Sequence, residues 1–332
     1  YDEKYGGTKE GIDIFHGIVT AEEFAQGCGG VSASLLSHNI AIPLIQALGT
    51  EEQKEKYIPP VVRGEKIAAL GMTEPSGGSD VASLKTKAVR KGDHFIVNGS
   101  KMYITSGMRA DTFVIGVRTG GEGASGISVL VIEKDTPGFT QTPLKKMGWL
   151  SSDTAALYFD DCKVPVENLI GGENSGWIGV MSNFSQERLG MAAGMNAYSQ
   201  ICIDEALAWA RERKTFGKTL INHQSLSFRL TDMATQIISA RQLALFAAQK
   251  ADAGERCIAE SSMAKIYASE IAEKVTSSAI QIFGGDGYLQ ETGIEKLYRD
   301  ARVLSIYEGT NDIQRIVIGR EIESGWSPNQ IS

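Results

Sequence analysis

The feature that most constrains the fold is a change of periodicity, made twice along the chain. From about Asp13 to Tyr57 apolar residues recur at helical spacing, as in Ile40, Leu44, Ile45 and Leu48, and Gly49-Thr50-Glu51-Glu52 reads as a helix stop followed by a new start. From about Ile67 to Asp161 the pattern becomes short β-type runs. These include His94-Phe95-Ile96-Val97 before a turn at Asn98-Gly99, Phe113 to Val117, Ile127 to Ile132, and Ala155 to Phe159. After Gly171-Gly172 helical spacing returns over about 176–213, 223–253, 255–283 and 311–321, broken at Gly284-Gly285 and Gly309-Thr310. Long amphipathic helices joined by short breaks specify a bundle, and short strands between turn residues specify a compact antiparallel barrel or sandwich. The expected architecture is therefore α+β and multidomain: a helical domain over 1–66, a β domain over 67–175 and a helical bundle over 176–332.

At 332 residues the chain can bury a sizeable core. Its charge is −7, from 33 basic and 40 acidic residues without a Lys/Arg-rich run, which argues against nucleic acid as a partner while leaving room for an anionic small ligand. Cys28, Cys162, Cys202 and Cys257 lack CxxC spacing, and His16, His38, His94 and His223 are equally dispersed. No metal-ligand cluster is expected, and the cysteines suit a reducing compartment. No apolar stretch reads as long enough to cross a bilayer, so no membrane span is expected.

One motif misleads. Gly121-Glu122-Gly123-Ala124-Ser125-Gly126 fits the dinucleotide fingerprint GxGxxG, but that fingerprint needs a following helix to hold a pyrophosphate. A β-type run follows at Ile127, so the segment is expected to be a hairpin loop.

Four segments and one carboxylate carry the chemistry. Gly71 to Asp80 is a glycine-rich loop whose backbone can approach a ligand closely. In Lys101 to Gly107, alternation places Tyr103 and Thr105 on one face of a strand, an aromatic ring beside a hydroxyl. Such a pair suits a planar cofactor or an ordinary cross-strand contact. Arg211 to Lys218 is a basic helix end with a glycine stop, followed by His223-Gln224, and Gln281 to Gly285 is a helix end where paired glycines expose backbone. Glu308 lies in Ile306-Tyr307-Glu308-Gly309-Thr310, between an apolar-aromatic pair and a helix N-cap. That setting suits a partly dehydrated general base, although a solvated loop glutamate would read the same way. A second carboxylate, Glu187, shares a helix face with Val180, Phe184 and Met191 and would point inward. Two ionised carboxylates in one pocket repel, so only one can be the main base.

The chain resembles the acyl-CoA dehydrogenase flavoproteins over nearly its whole length. The resemblance is carried by MTEPSGGSD (72–80), KMYITSG (101–107), ERKTFGK (212–218), QIFGGDGY (281–288), YRDAR (298–302) and YEGTNDIQR (307–315). It implies a helical N-terminal domain, a central β domain, a C-terminal four-helix bundle, and FAD as cofactor. Met72, Thr73, Tyr103, Ile104 and Thr105 would line the isoalloxazine ring, with Tyr103 where relatives often have Trp. Thr310 and Asp312 would lie near the phosphates. Arg213, Thr215, Phe216, His223, Gln224, Gln281, Gly284 and Gly285 would reach the FAD of a neighbouring subunit, which implies a homo-oligomer, typically a tetramer built as a dimer of dimers. Ser79 would serve both cofactor and substrate, and Ser185, Arg188, Tyr307 and Gly309 would meet the acyl-CoA.

The reaction implied is α,β-dehydrogenation of an acyl-CoA thioester to the trans-2-enoyl-CoA. Glu308 would take the α-proton, flavin N5 the β-hydride, and an electron-transferring flavoprotein the electrons. Because some long-chain and branched-chain relatives carry the base at the place of Glu187, that residue stays as the alternative and tilts the expected substrate towards medium, long or branched acyl groups. An acyl-CoA oxidase using O₂ and a silent flavin- or acyl-CoA-binding relative are the competing readings. The expected compartment is the cytoplasm, or the mitochondrial matrix in a eukaryote. Tyr1 to Gly7 resembles a family loop that normally follows a few tens of helical residues, so the first helices are expected to be missing from this chain.

Overall fold

The computed structural model describes residues 1–8 and 13–328, with the side chains of 182–186 excepted. The helices are α1 Ile14–Gly27, α2 Gly29–Leu36, α3 His38–Leu48, α4 Glu51–Val62, α5 Gly176–Glu212, α6 Gln224–Asp252, α7 Ile258–Phe283, α8 Ile294–Ala301 and α9 Asn311–Glu323. The strands are β1 Ala68–Gly71, β2 Lys87–Lys91, β3 His94–Thr105, β4 Thr112–Arg118, β5 Ile127–Glu133, β6 Phe139–Pro143, β7 Thr154–Pro165, β8 Leu169–Ile170, β9 Lys214–Thr215 and β10 Lys218–Thr219. The chain divides into two compact units. One comprises Tyr1–Ile12, Ala33–Lys146 and Leu150–Phe184; the other comprises Asp13–Ser32, Met147–Trp149 and Ser185–Ser332.

The first unit is built on an eight-stranded sheet ordered β6-β7-β3-β2-β4-β5-β8, with β1 paired to β4. β1 runs parallel to β4 along Ala68–Gly71, and β2 meets the end of β4 in parallel register at Lys87 and Arg118. The sheet is thus mixed, and its path is open. That corrects the expected antiparallel barrel: parallel pairing joins strands through long crossovers and leaves no local mark on either strand. Strands β4 and β5 are buried on both faces. Val114, Val129 and Val131 pack with Ile42, Ile45 and Ile58 of α3 and α4, while Phe113, Ile115, Leu130 and Ile132 form the core on the other face. Phe139 joins that second core, edge-on to Phe113 and stacked on Phe159.

Helix α4 begins where the sequence places its start. Thr50 caps it, exchanging hydrogen bonds with Gln53 in a capping box. The loop at 121–126 does join β4 to β5, ending in a single 3₁₀ turn at Ala124–Gly126. Asn98-Gly99, by contrast, is no hairpin turn: β3 runs straight through it, and the register shifts there because β7 carries an extra residue opposite. The segment Gly29–Leu48 has a mean hydropathy of 1.3 and the length of a membrane span, contrary to the sequence expectation. It is nevertheless two helices, α2 and α3, and Ala41, Ile42, Leu44 and Ile45 of α3 are buried in protein core.

The second unit is a bundle of α5, α6, α7 and α9. Its core alternates small and large side chains, Ala206, Ala240, Ala244, Ala268 and Ala272 between Met195, Met233, Ile237 and Ile271, so the helices approach closely. Ile18 and Ala21 of α1 pack on Ala193 of α5 and Ala248 of α6. α8, which the sequence pattern did not announce, presents Ile294 and Ala301 to the same core.

Candidate active site

In the first unit, three sequence-distant segments are fastened together by one buried ion pair. Glu74 lies inside the glycine-rich loop, and its carboxylate accepts from the backbone N–H of Lys85 (2.6 Å) and Thr86 (2.8 Å) and from Lys101 Nζ (2.8 Å). Lys101 Nζ also donates to the Met72 carbonyl at 3.1 Å, and the N–H of Met102 donates to the Thr73 carbonyl at 2.9 Å. Burial lowers Lys101 to about 8 against the pull of Glu74. Burial would raise Glu74, but the Lys101 charge and the hydrogen bonds outweigh it and hold the carboxyl below its ordinary range. Met72 and Thr73 are thereby placed beside Met102 and Tyr103.

Tyr103 itself takes a left-handed backbone conformation (φ 63°) at a second register shift of β3. A tyrosine there is strained, and the residue is 69% exposed. Ile104 turns into the sheet core, while Thr105 is half-buried. Ser106, again left-handed, is buried and pairs its hydroxyl with that of Ser37 at 2.9 Å. An exposed ring beside the Thr73 backbone, on a rigidly tied strand, is a fitting wall for a planar cofactor. Met72 faces the core through its side chain, so only its backbone is available there. Ser79 is exposed in the loop.

In the second unit, Glu308 sits in the turn between α8 and α9. It too is left-handed (φ 49°), followed by Gly309 at φ 89°. The left-handed backbone favours glycine at 309, where a Cβ would also displace the Gln314 amide. Thr310 caps α9, its hydroxyl accepting from the N–H of Ile313 at 3.3 Å. Gln314, buried, donates to the carbonyls of Gly309 (3.2 Å) and Glu308 (3.4 Å). From α7, Lys265 donates to the Gly309 carbonyl and to Asn311 Oδ1, both at 3.0 Å, and Ser269 exchanges hydrogen bonds with Asn311. Trp149 closes the turn on another side, edge-on to Tyr307 at 5.2 Å, and is held by Asp300 Oδ1 accepting its N–H.

Glu308 is partly buried as a residue, and its Oε2 is sealed from solvent with no hydrogen-bond partner among the described residues. Burial pushes its pKa up to about 7, with the charges of Lys265 and Arg188 pulling the other way. Glu187, on α5, lies within electrostatic reach of Glu308, as its expected inward orientation requires. Burial first, and the Glu308 charge second, push it up to about 10. Arg188, beside it, donates weakly to Ser262 Oγ at 3.5 Å and is lowered by burial. The two carboxyls therefore differ: at neutral pH Glu187 holds its proton and Glu308 is the one that ionises. Ser185 lies on α5 with its side chain outside the described residues. Asp312, in the first turn of α9, is exposed and paired with Arg315 at 3.1 Å.

A separate surface of this unit gathers the remaining expected residues. β9 and β10 form a tight hairpin whose tip, Phe216-Gly217, is left-handed at both positions. Phe216 stands 97% exposed. His223 Nε2 lies 3.3 Å from the Thr215 hydroxyl, and Gln224 opens α6. Arg213 lies over the Trp209 ring, which stacks on Phe283 at the end of α7, beside Gly284 and Gly285 and two residues after Gln281.

Sequence reading missed Lys101's pairing with Glu74 and missed Lys265 altogether. The signal for Lys265 was faint: it falls in the small-residue stripe Ser261, Ala264, Ala268, Ala272 of α7, where a charge has no reason to be unless it has a partner.

Models of the acyl-CoA dehydrogenase N-terminal, middle and C-terminal domains match residues 1–65, 69–162 and 174–323. The chain belongs to the acyl-CoA dehydrogenase family, whose members are flavoprotein oxidoreductases. It is 41% identical to the short-chain-specific acyl-CoA dehydrogenase of Clostridium acetobutylicum over 325 residues, covering 97% of this chain and 85% of that one. A probable acyl-CoA dehydrogenase from Mycobacterium abscessus superposes with a TM-score of 0.94 at 46% identity, over 97% of this chain and 86% of its own. A chain in the structure of the electron transferring flavoprotein of Acidaminococcus fermentans gives 0.92 at 39% identity, over 97% and 85%.

Proposed function

We propose that this protein is an FAD-dependent acyl-CoA dehydrogenase that converts acyl-CoA thioesters to trans-2-enoyl-CoA, with Glu308 as the base. The observation that carries the reading is the buried Glu308 carboxylate, desolvated to a pKa of about 7 with one oxygen lacking a partner among the described residues. A base tuned near ambient pH can take a weakly acidic α-proton and still be ionised beforehand. Its backbone N–H would donate to the thioester oxygen, stabilising the charge that develops there. Glu187, holding its own proton, would border the pocket without competing for the base role. Arg188, Tyr307, Gly309, Ser79 and Ser185 would hold the acyl-CoA.

FAD would be held by Met72, Thr73, Ser79, Tyr103, Ile104 and Thr105, and by Thr310 and Asp312. When bound it supplies the hydride acceptor at N5. Arg213, Thr215, Phe216, His223, Gln224, Gln281, Gly284 and Gly285 would complete the cofactor site of a neighbouring subunit in a tetramer; an exposed phenylalanine at a hairpin tip suits such a role. The electrons would pass to an electron-transferring flavoprotein, in the cytoplasm of a bacterium. The functional domains would span 1–66, 67–175 and 176–332. The short-chain-specific relative favours short acyl groups over the medium, long or branched ones first expected.

The test is an anaerobic panel of acyl-CoA esters, short to long and branched, read by bleaching of the flavin band. Bleaching by short straight-chain esters supports the reading. No bleaching by any ester refutes it, and rapid peroxide release in air would make the protein an oxidase.

A further inference from the structure

We infer that Lys265 is a positioning residue for Glu308: its buried ammonium, bonded to the Gly309 carbonyl and to Asn311, fixes the left-handed turn and biases the carboxylate towards its ionised form. This rests on the reading of Glu308 as the base.

Lys265 is 0% exposed, in a helix face otherwise made of alanine and serine. Burying a lysine this fully is strongly unfavourable unless its charge is paired and hydrogen-bonded. Its hydrogen bonds go to one place, the two residues that frame the turn after Glu308, at 3.0 Å each. Gln314 binds the carbonyls of Gly309 and Glu308, and Ser269 holds the Asn311 side chain to which Lys265 donates, so Lys265 and Gln314 directly hold a backbone that glutamate would not adopt unaided.

The charges that face Glu308 come from two helices. Among the described residues, α5 supplies Glu187 and Arg188 and α7 supplies Lys265; α9 brings the neutral Asn311 and Gln314 to the turn while its Asp312 and Arg315 pair with each other, and the adjoining Tyr307 keeps its proton. Lys265 is the foremost of the charges that oppose the burial of Glu308. Burial in turn lowers Lys265 to about 8, with Glu308 raising it and Arg188 lowering it. Carboxylate and ammonium are thus both charged only in a narrow interval, from about 7 to about 8.

The experiment measures the pH profile of single-turnover flavin reduction in Lys265→Gln, Lys265→Met and Lys265→Arg, alongside Glu308→Gln. An infrared titration of the protonated carboxyl band, taken as the difference from Glu308→Gln, gives the Glu308 pKa without turnover. In Lys265→Gln and Lys265→Met the acidic limb and the infrared pKa are expected to move up by about 1–3 units, the effect of removing one nearby opposite charge. In Lys265→Arg the acidic limb should stay, while the alkaline limb moves up because a guanidinium keeps its charge. Unshifted limbs in a folded, flavin-loaded neutral variant overturn the inference. If neither neutral variant folds, Lys265→Arg decides: a displaced acidic limb or an unmoved alkaline one overturns it. Turnover retained by Glu308→Gln would refute the base assignment itself, a different outcome from an inactive Glu308→Gln with unshifted Lys265 variants.

Discussion

Glu308 combines two burdens that a surface loop glutamate avoids, a left-handed backbone and a carboxylate shut away from water. Each persists only because neighbours hold it, Lys265 and Gln314 for the turn and the surrounding helices for the burial. Glu187 has the second burden alone, and its raised pKa has a consequence for stability. The unfolded carboxyl ionises near 4.5, whereas the folded one keeps its proton up to about 10. Across that interval the folded state binds more protons, so stability falls as pH rises. Glu187→Gln removes this penalty and is expected to raise the melting temperature at pH 8 by at least about 2 °C while changing it little at pH 4. A thermal melt at the two pH values checks this; an equal change at both would contradict it.

Elements divide cleanly into those whose sequence marks their ends and those that it leaves unmarked. Helix α4 was legible because Thr50 and Gln53 form a local capping box, and α9 because Thr310 caps it. Thr310→Ala should cost about 1 kcal/mol in a denaturant titration, the usual value of such a cap. The parallel pairing of β1 with β4 was not legible, because its partners are more than forty positions apart and either run would look the same in an antiparallel sheet. Asn98-Gly99 misled because the dipeptide that favours a hairpin turn here runs on within β3, opposite an extra residue of β7. The charged members of the site hid in apolar patterns, Lys101 in a strand and Lys265 in a helix, with partners 27 and 44 residues away. Breaking the first pair by Glu74→Gln should destabilise by about 3–5 kcal/mol, since it strands a buried ammonium. It should also lower the flavin content of the purified protein, because the pair ties Thr73 to Tyr103.

At the scale of the whole molecule, the order helical, β, helical was visible in the changes of periodicity, and six spaced motifs identified the family. The proposed reach of Phe216 into a neighbouring copy's cofactor site comes from the family resemblance alone; in the structure the ring stands exposed at the hairpin tip, edge-on to His223 at 6.2 Å. Phe216→Ala leaves the bundle core untouched. It is expected to reduce retained flavin several-fold on gel filtration, with the oligomer measured by light scattering in the same run. Unchanged flavin retention would remove the hairpin from the cofactor site. The most direct measurement of the central claim is anaerobic stopped-flow reduction of flavin by butyryl-CoA in Glu308→Gln and Glu187→Gln. Glu308→Gln is expected to lose about 10²–10⁴-fold, with flavin and ligand still bound, and Glu187→Gln to change within a few fold. Near-normal reduction in Glu308→Gln, with the loss falling on Glu187→Gln, would contradict that claim.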